Sequence, residues 1–291
     1  MAPWVDGKRA WARISCPGAI DTHLANSGLD GAVRQTLTPA IPNTLIRHSH
    51  CPPKGPAGDS ERACVQHKQP RARIGELLWI SRTARPDISH AVNDLARVAH
   101  NPGRQHLHAI KHVSRYLAST RDLALIYRRP DEPTAPVVWT DSSYAPNYGT
   151  DFDNYRSTSA YVVTNNGSAT SWRSRRQPRL ATSSCEAETV AACAAAKEAV
   201  LYRKWQRATT GIAPRTLLLG DNASSIKAET NGSDNDGSKH VDVAAHYVRE
   251  RMRSGDLAYH YVSTTENIAD CLSKNNYYPA FKKFRAAMGV A

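Results

Sequence analysis

A long alanine-rich run, CEAETVAACAAAKEAVLYRKW, begins at Cys185 and limits how this chain can fold. Alanine is the best helix former, so the run predicts a long helix. Two glutamates, Glu186 and Glu188, stand at the start of that helix. Successive helical residues are about 100° apart, so two residues separated by two positions point to nearly opposite sides. The two carboxylates therefore cannot serve the same face.

The two glutamates head different stripes of the helix. The stripe below Glu188 is small and uncharged, with Ala192, Ala195, Ala199 and Tyr202. The stripe below Glu186 carries lysines, with Val190, Cys193, Lys197 and Lys204. Ser183 precedes Glu186 by three residues, and S-x-x-E is a capping box. A carboxylate on a packed face is costly unless it is paired, so we interpret Glu188 as a candidate metal ligand.

Composition narrows the class of protein. The chain has 291 residues, enough for one large domain or two smaller ones, and a net charge of +12. Excess Lys and Arg can simply confer solubility, but their clustering favours a polyanionic partner. The six cysteines form no regular framework, which indicates a reducing compartment. No stretch has the length of a membrane span and no apolar signal region is present, so we expect an intracellular protein without a membrane partner.

The first 70 residues are interrupted by prolines and glycines, and no hydrophobic period persists there. We expect residues 1–70 to be irregular and partly disordered. This segment also holds a set of possible zinc ligands, namely His48, His50, Cys51, Cys64 and His67. Their spacing fits no common zinc finger well, so a zinc site is the weaker interpretation.

The remainder of the chain changes pattern once. Residues 71–130 show the apolar period of helices. Residues 131–291 predict strands that start near Val137, Ala160, Ser168, Leu217 and Leu257. The turn NNG joins the second and third of these strands as a hairpin. The predicted order is three strands, helix, strand, helices, strand, helix, which indicates an α/β domain.

Four carboxylates stand where predicted elements begin or end: Asp141, Glu188, Asp221 and Asp270. Each also has a structural interpretation. Asp221 suits a helix N-cap, Asp141 an Asx-turn, and Asp270 a surface charge. If the fourth strand pairs beside the first, however, the ends of those strands are neighbours and the carboxylates converge. Such a cluster repels itself without cations, and its hard oxygen ligands suit Mg²⁺ or Mn²⁺.

Eight sequence blocks occur in one order between about Ile74 and Val290: IGELLWISRTARPDISHAV, WTDSSYA, YRSTSAYVVT, SWRSRRQ, SSCEAETVAA, GDNASSIKA, KHVDVAAHYVRE and ENIADCLSK. Together they resemble the C-terminal part of copia-type retrotransposon polyproteins, which ends in a ribonuclease H domain. The resemblance implies an α/β ribonuclease H-like fold, a mixed five-stranded sheet with flanking helices. It also implies that residues 71–130 form a small helical segment, similar to the part that follows the palm of a reverse transcriptase.

The resemblance also implies a chemistry. The family's four metal-binding carboxylates fall at Asp141, Glu188, Asp221 and Asp270. They would hold two Mg²⁺ ions, with Mn²⁺ as a substitute, and hydrolyse the RNA strand of RNA–DNA hybrids. Two departures concern single residues, since Ser143 replaces a second acid and Ala160 a common glycine.

A larger departure is that no Y-x-D-D motif occurs, so we expect no polymerase activity. The chain is then a fragment of a polyprotein gene or a remnant of one. The alternative to an enzyme is a catalytically silent nucleic-acid-binding remnant. The expected location is the cytoplasm, a virus-like particle or the nucleus.

The nucleic-acid contacts are predicted from basic residues. The densest run is Arg173, Arg175, Arg176 and Arg179, directly before the long helix. A solvated loop would also carry such charges, but its position beside the carboxylates favours phosphate contact. Lys239 and His240 are weaker candidates, since His240 also suits a capping or packing role.

Overall fold

The computed structural model describes residues 4–5, 8–29, 31, 34–128, 135–146, 155–231 and 239–291. Within these residues the strands are β1 Trp4–Val5, β2 Lys8–Ile14, β3 Leu125–Arg128, β4 Val137–Ser143, β5 Thr158–Asn165, β6 Ser168–Arg176, β7 Thr216–Gly220 and β8 Leu257–Tyr261. The α-helices are α1 Pro17–Asn26, α2 Asp59–Gln66, α3 Pro70–Thr83, α4 Ser89–Arg97, α5 Arg104–Ser119, α6 Ser184–Thr210, α7 Ala223–Asn231, α8 Lys239–Arg253, α9 Asp270–Ser273 and α10 Tyr278–Ala287. None of these helices is both long and apolar enough to cross a membrane.

The main sheet has five strands in the order β6-β5-β4-β7-β8. Strands β4, β5 and β6 are antiparallel neighbours, whereas β7 runs parallel to both β4 and β8. The three consecutive strands thus form a meander, and the chain returns through α6 to place β7 on the other side of β4. The predicted mixed five-stranded sheet with flanking helices is confirmed, and the fold is ribonuclease H-like.

The hairpin between β5 and β6 turns where the NNG sequence predicts it. Asn166 has φ 52° and Gly167 has φ 75°. Two consecutive residues with positive φ are typical of a type I′ turn, whose twist matches that of the flanking strands. The local sequence therefore accounts for this hairpin and for the antiparallel pairing that it starts.

One face of the sheet packs against α6. Ala192, Ala195 and Ala199 are fully buried there, in one cluster with Val138 of β4 and Leu218 of β7. Small side chains let the helix approach the sheet closely, as the stripe below Glu188 predicts. The lysines of the stripe below Glu186 predict that it faces outward, but Cys193 of this stripe is also buried in the cluster.

The other face of the sheet is covered by the helices that precede it. Leu77 of α3 and Val92 of α4 share one hydrophobic cluster with Val162 of β5 and Phe281 of α10. The Trp172 indole N–H on β6 also donates a hydrogen bond of 3.0 Å to a carbonyl oxygen of α3. The division of the chain near residue 130 stays a prediction, and the parts on either side share this core.

The structure differs from the sequence prediction in the first 70 residues, which include β2, α1 and α2. Helix α1 buries only Ile20, His23 and Leu24, so its apolar face is too narrow to give a clear period. Tertiary contacts hold it instead, since the His23 ring lies 2.7 Å from a Glu76 oxygen and 2.8 Å from the Ser114 hydroxyl. The sequence ENIADCLS also predicts a helix that starts at Glu266, but α9 begins only at Asp270, because residues 263–267 form turns.

A buried ionic network joins α5 to the turn that precedes α4. Arg85 contacts both carboxylate oxygens of Asp87, at 2.9 and 2.8 Å, and the Tyr116 hydroxyl donates to Asp87 at 2.6 Å. All three side chains are almost completely buried. Burial by itself would raise the pKa of Asp87, but Arg85 and Tyr116 hold it below its ordinary value. Arg285 of α10 donates to the same tyrosine oxygen at 3.1 Å, so the network also reaches the last helix.

We expect Asp87→Asn to destabilise the fold by roughly 3–5 kcal/mol, because Arg85 would keep a buried charge without its partner. The measurement is urea unfolding followed by circular dichroism. Asp21→Asn is the matched control, since Asp21 forms a two-oxygen pair with Arg121 that is exposed to solvent. A similar loss of unfolding free energy in both variants would mean that the buried pair stabilises the fold no more than the exposed pair does.

Candidate metal centre and nucleic-acid surface

The two aspartates at the centre of the site are placed by parallel pairing. Val137 of β4 pairs with Leu217 of β7, and Trp139 pairs with Leu219. Continuing this register by two residues brings Asp141, within β4, level with Asp221, which directly follows β7. Neighbouring strands are about 4.8 Å apart. The two carboxylates therefore come from adjacent positions at the same end of the two central strands.

Glu188 joins them from the first turns of α6. Its Oε1 accepts a hydrogen bond of 3.2 Å from the backbone N–H of Ser142. Carboxylate oxygens of Asp141, Glu188 and Asp221 all lie within 4.8 Å of one another. In the part of the chain that the structure describes, this is the one group of three or more His, Cys, Asp or Glu residues close enough to share an ion. The possible zinc ligands between His48 and His67 form no such group there.

Glu186 has the capping role that its spacing predicts. The Ser183 hydroxyl accepts a 3.1 Å hydrogen bond from the backbone N–H of Glu186. The Glu186 carboxylate accepts from the backbone N–H of Thr182 at 2.6 Å, one residue before the position that a full capping box uses. Glu188 and Glu186 are thus separated as the helix period requires, the first toward the cluster and the second toward the helix start.

Asp221 and Asp141 do not make the contacts that an N-cap and an Asx-turn would give them. The N-cap role before α7 falls to Asn222, whose Oδ1 accepts from the backbone N–H of Ser225 at 2.9 Å. Asp221 accepts instead from the Thr264 hydroxyl at 2.7 Å. Asp141 accepts from the Ser273 hydroxyl, more than a hundred residues away, rather than from its own turn.

Asp270 lies beside this group but is engaged by other side chains. It is the first residue of α9 and is only 3% exposed. One carboxylate oxygen forms an ion pair with Lys274, and the other accepts from the Asn276 amide. The structure therefore brings three of the four predicted carboxylates together, with the fourth next to them. The sequence interpretation missed Lys274, although its spacing of four residues from Asp270 is that of a helical ion pair.

Burial dominates the electrostatics of the cluster. It raises the pKa of Asp141 to about 7, with Asp221 and Asp270 adding to the effect and Lys274 opposing it. Burial and the nearby charge of Asp141 raise the pKa of Glu188 to about 8. Burial lowers the pKa of Lys274, but the carboxylates of Asp141 and Asp270 outweigh it, so that pKa is raised. Close carboxylates in a water-poor site retain protons unless a cation compensates them.

The residues present fit a hard divalent cation. Glu188 is 6% exposed, and its Oε2 is buried with no hydrogen-bond partner among the described residues. A buried carboxylate oxygen without a donor is costly, and a cation would remove that cost. The cluster offers only oxygen ligands, which are those that Mg²⁺ and Mn²⁺ prefer.

The predicted arginines lie on or directly after β6, which is two strands away from β4 in the sheet. Arg173 and Arg175 are exposed on the edge strand β6, Arg176 is half-buried, and Arg179 is exposed in the following loop. A groove of about 760 Å³ runs along β6, and its lining includes Arg173 and Arg175 together with Arg82 of α3. Lys239 and His240 stand at the start of α8, and their side chains lie outside the described residues.

The fold and site define the class of the protein: an α/β protein of the ribonuclease H-like type, with a carboxylate cluster at the ends of two central strands. The chain is 33% identical over 203 residues to the "Retrovirus-related Pol polyprotein from transposon TNT 1-94" of Nicotiana tabacum, which is 69% of this chain and 15% of that protein. Its match to the corresponding polyprotein of transposon RE1 of Arabidopsis thaliana is 31% over 222 residues, 76% of this chain and 15% of that protein. The chain belongs to the retrovirus-related Pol polyproteins of copia-type transposons and spans about 15% of the length of these relatives.

The chain is also similar to a much shorter protein and to a solved domain. It is 37% identical over 139 residues to "Secreted RxLR effector protein 161" of Plasmopara viticola, which is 47% of this chain and 94% of that protein. Among solved structures, the N-terminal RNase H domain of a Mycobacterium tuberculosis protein matches 53% of this chain and 97% of that chain, at 15% identity and a TM-score of 0.37. No protein-family model matches the chain.

The raised pKa values predict how stability depends on pH when divalent ions are chelated. A carboxyl group with a raised pKa binds its proton more tightly in the folded chain than in the unfolded chain, so stability falls as pH rises. In EDTA we expect the melting temperature to fall between roughly pH 5 and pH 8, above the ordinary carboxyl pKa and through the raised ones. Glu188→Gln should remove part of this fall, and Glu186→Gln should retain it. The prediction is contradicted if the melting temperatures of the wild type, Glu188→Gln and Glu186→Gln all change with pH in the same way.

Proposed function

We propose that this chain is a Mg²⁺-dependent nuclease of the ribonuclease H type, which hydrolyses the RNA strand of RNA–DNA hybrids. The observation that carries the proposal is the convergence of Asp141, Glu188 and Asp221 within 4.8 Å, in a chain whose relatives are retrovirus-related Pol polyproteins. The order of these residues along the chain, with the glutamate before the second aspartate, matches the order that the ribonuclease H resemblance implies.

In this proposal Asp141, Glu188, Asp221 and Asp270 hold two Mg²⁺ ions, for which Mn²⁺ can substitute. When bound, such ions supply an activated water and stabilise the leaving 3′-oxygen of a phosphodiester. The chain fixes the ligands before substrate arrives, since Asp141 belongs to a central strand and Glu188 is tied to the backbone of Ser142. Thr264 and Ser273 orient Asp221 and Asp141 through their hydroxyl groups.

The arginines of β6 support a nucleic-acid substrate. Asp141 pairs with Ala160 of β5, and Ala160 pairs with Ser174 of β6. Two strand spacings separate Asp141 from Ser174, about 10 Å, which is less than the width of a duplex. Arg173 and Arg175 flank Ser174, and the groove that they line has no acidic residue in its lining. Because side chains alternate along a strand, Arg173 and Arg175 point to the face opposite Ser174, and they would meet such a duplex with their long, exposed side chains at the edge of the sheet. Contacts to 2′-hydroxyl groups would distinguish the RNA strand.

The predicted contacts of Arg179, Lys239 and His240 stay part of this proposal, as does an intracellular location in the cytoplasm, a virus-like particle or the nucleus. Polymerase activity is not part of it. The rival function, a catalytically silent nucleic-acid-binding remnant, would use the same arginines without hydrolysis. Cleavage assays therefore separate the two.

We expect the full chain to cut the RNA strand of a labelled RNA–DNA hybrid with Mg²⁺ or Mn²⁺ but not with Ca²⁺, whose looser coordination aligns a water poorly. Glu188→Gln should lower the rate about a hundredfold or more, since it removes a metal ligand while keeping the shape. Glu186→Gln, two residues away, can still accept the capping hydrogen bond and should cut normally. Folded protein that binds the hybrid without cutting it in millimolar Mg²⁺ would favour the silent remnant.

Replacing Arg173, Arg175 and Arg176 together by Ala should weaken hybrid binding and flatten its salt dependence. Each arginine that binds a phosphate should, when replaced, reduce the slope of log K against log salt by about one. The measurement is fluorescence anisotropy in Ca²⁺ at several salt concentrations. A control that removes three exposed charges elsewhere, Lys204, Arg207 and Lys282, should keep the slope. Equal slopes in both triple variants would place the phosphate-binding residues outside β6.

A further inference from the structure

Asp270 stands apart from the other three carboxylates because both of its oxygens already have partners within the chain. Lys274 forms an ion pair with Oδ1, and the Asn276 amide donates to Oδ2. The Asp270 Oδ1 meets the lysine charge without a hydrogen bond of normal geometry, whereas the buried Oε2 of Glu188 has neither a donor nor an ion pair among the described residues. The four predicted ligands therefore divide into a group of three that can share one ion and a fourth that is held by a lysine.

The backbone brings this lysine to the cluster. Helix α9 is only four residues long, and the Lys274 backbone N–H donates to the carbonyl oxygen of Asp270 at 3.1 Å. Between them, Ser273 donates to the Asp141 carboxylate. One short turn thus carries the fourth carboxylate, a hydroxyl that contacts the central aspartate, and an ammonium group whose charge is felt at both aspartates.

The Lys274 pair differs from an ordinary surface ion pair. Lys283 and Glu266, on the same C-terminal segment, form a pair in which the side chains are 49% and 58% exposed. In the Lys274 pair the lysine is 44% exposed, but the Asp270 side chain is only 4% exposed. An exposed pair contributes little, whereas a buried carboxylate depends strongly on its counter-charge.

We propose that Lys274 is a built-in counter-cation that regulates how the cluster takes up divalent ions. Asp141, Glu188 and Asp221 bind the first ion, and a second ion gains Asp270 only when it displaces the Lys274 ammonium. This inference rests on the metal-dependent function proposed above, but it concerns ion binding alone. A positive charge a few ångströms from a divalent ion disfavours that ion, so Lys274 makes the second binding event weaker than the first.

The test is Mn²⁺ binding to the full chain without nucleic acid, measured from the electron paramagnetic resonance signal of free Mn²⁺. Wild-type protein should show one stronger and one weaker class of sites. In Lys274→Gln the weaker class should tighten about tenfold or more, because the competing charge is gone. Lys274→Arg retains the charge and should keep the weaker class weak. Lys283→Gln is the matched control and should bind as wild type does.

Metal-free stability gives a second readout. In EDTA, Lys274→Gln should lower the melting temperature more than Lys283→Gln does. Added Mn²⁺ should then raise the melting temperature of Lys274→Gln by more than that of Lys283→Gln. If Lys274→Gln does not fold, Asp270→Asn decides, since it should remove the weaker class and leave the stronger one. Unchanged or weaker Mn²⁺ binding in folded Lys274→Gln, or both classes intact in Asp270→Asn, would overturn the inference. A wild-type chain that binds Mn²⁺ in this way yet cuts no hybrid would overturn only the proposed nuclease function.

Discussion

Mutual repulsion among buried carboxylates is the constraint on which this structure depends. Asp141 is 2% exposed and Glu188 is 6% exposed, and with Asp221 they place oxygens within 4.8 Å of one another. Such a group is unstable unless protons, hydrogen-bond donors or cations compensate its charge. Much of the surrounding chain supplies donors, including the backbone of Ser142 and the hydroxyl groups of Thr264 and Ser273. Such an arrangement is compatible with a bound cation, as the proposed function requires.

The fold holds this costly group through a core that extends over both faces of the sheet. The alanines of α6 cover one face, and α3 to α5 with α10 cover the other. Helix α4 packs close to α9, the helix that begins at Asp270. A helix before the sheet thus lies next to the turn that carries the fourth carboxylate, although the described helices before the sheet supply no ligand to the group of three.

The helix period predicts the positions of some of the carboxylates but not of all of them. The 3.6-residue period separates Glu188 from Glu186, and the contacts agree, since Glu186 caps the helix and Glu188 points to the cluster. Helix periodicity does not predict the surroundings of Asp270, because α9 is only four residues long and too short to have a distinct face. Its surroundings are decided by Lys274 and Asn276, which a search for acidic residues passes over.

Sequence alone determined the features that arise from local chemistry: the α6 helix from alanine, the β5–β6 hairpin from Asn166 and Gly167, and the capping role of Glu186. The order of strands and carboxylates also followed from it, because alternation of short apolar runs with helices limits the sheet to few topologies. Tertiary structure alone decided the helix and strand in residues 8–29, whose apolar faces are too short to give a period. It also decided the hydrogen bond from Ser273 to Asp141 and the groove lined by Arg82 and Arg173. These features bring together residues that are far apart in the sequence. Whether such residues touch depends on how the helices and strands pack, which no local sequence pattern encodes.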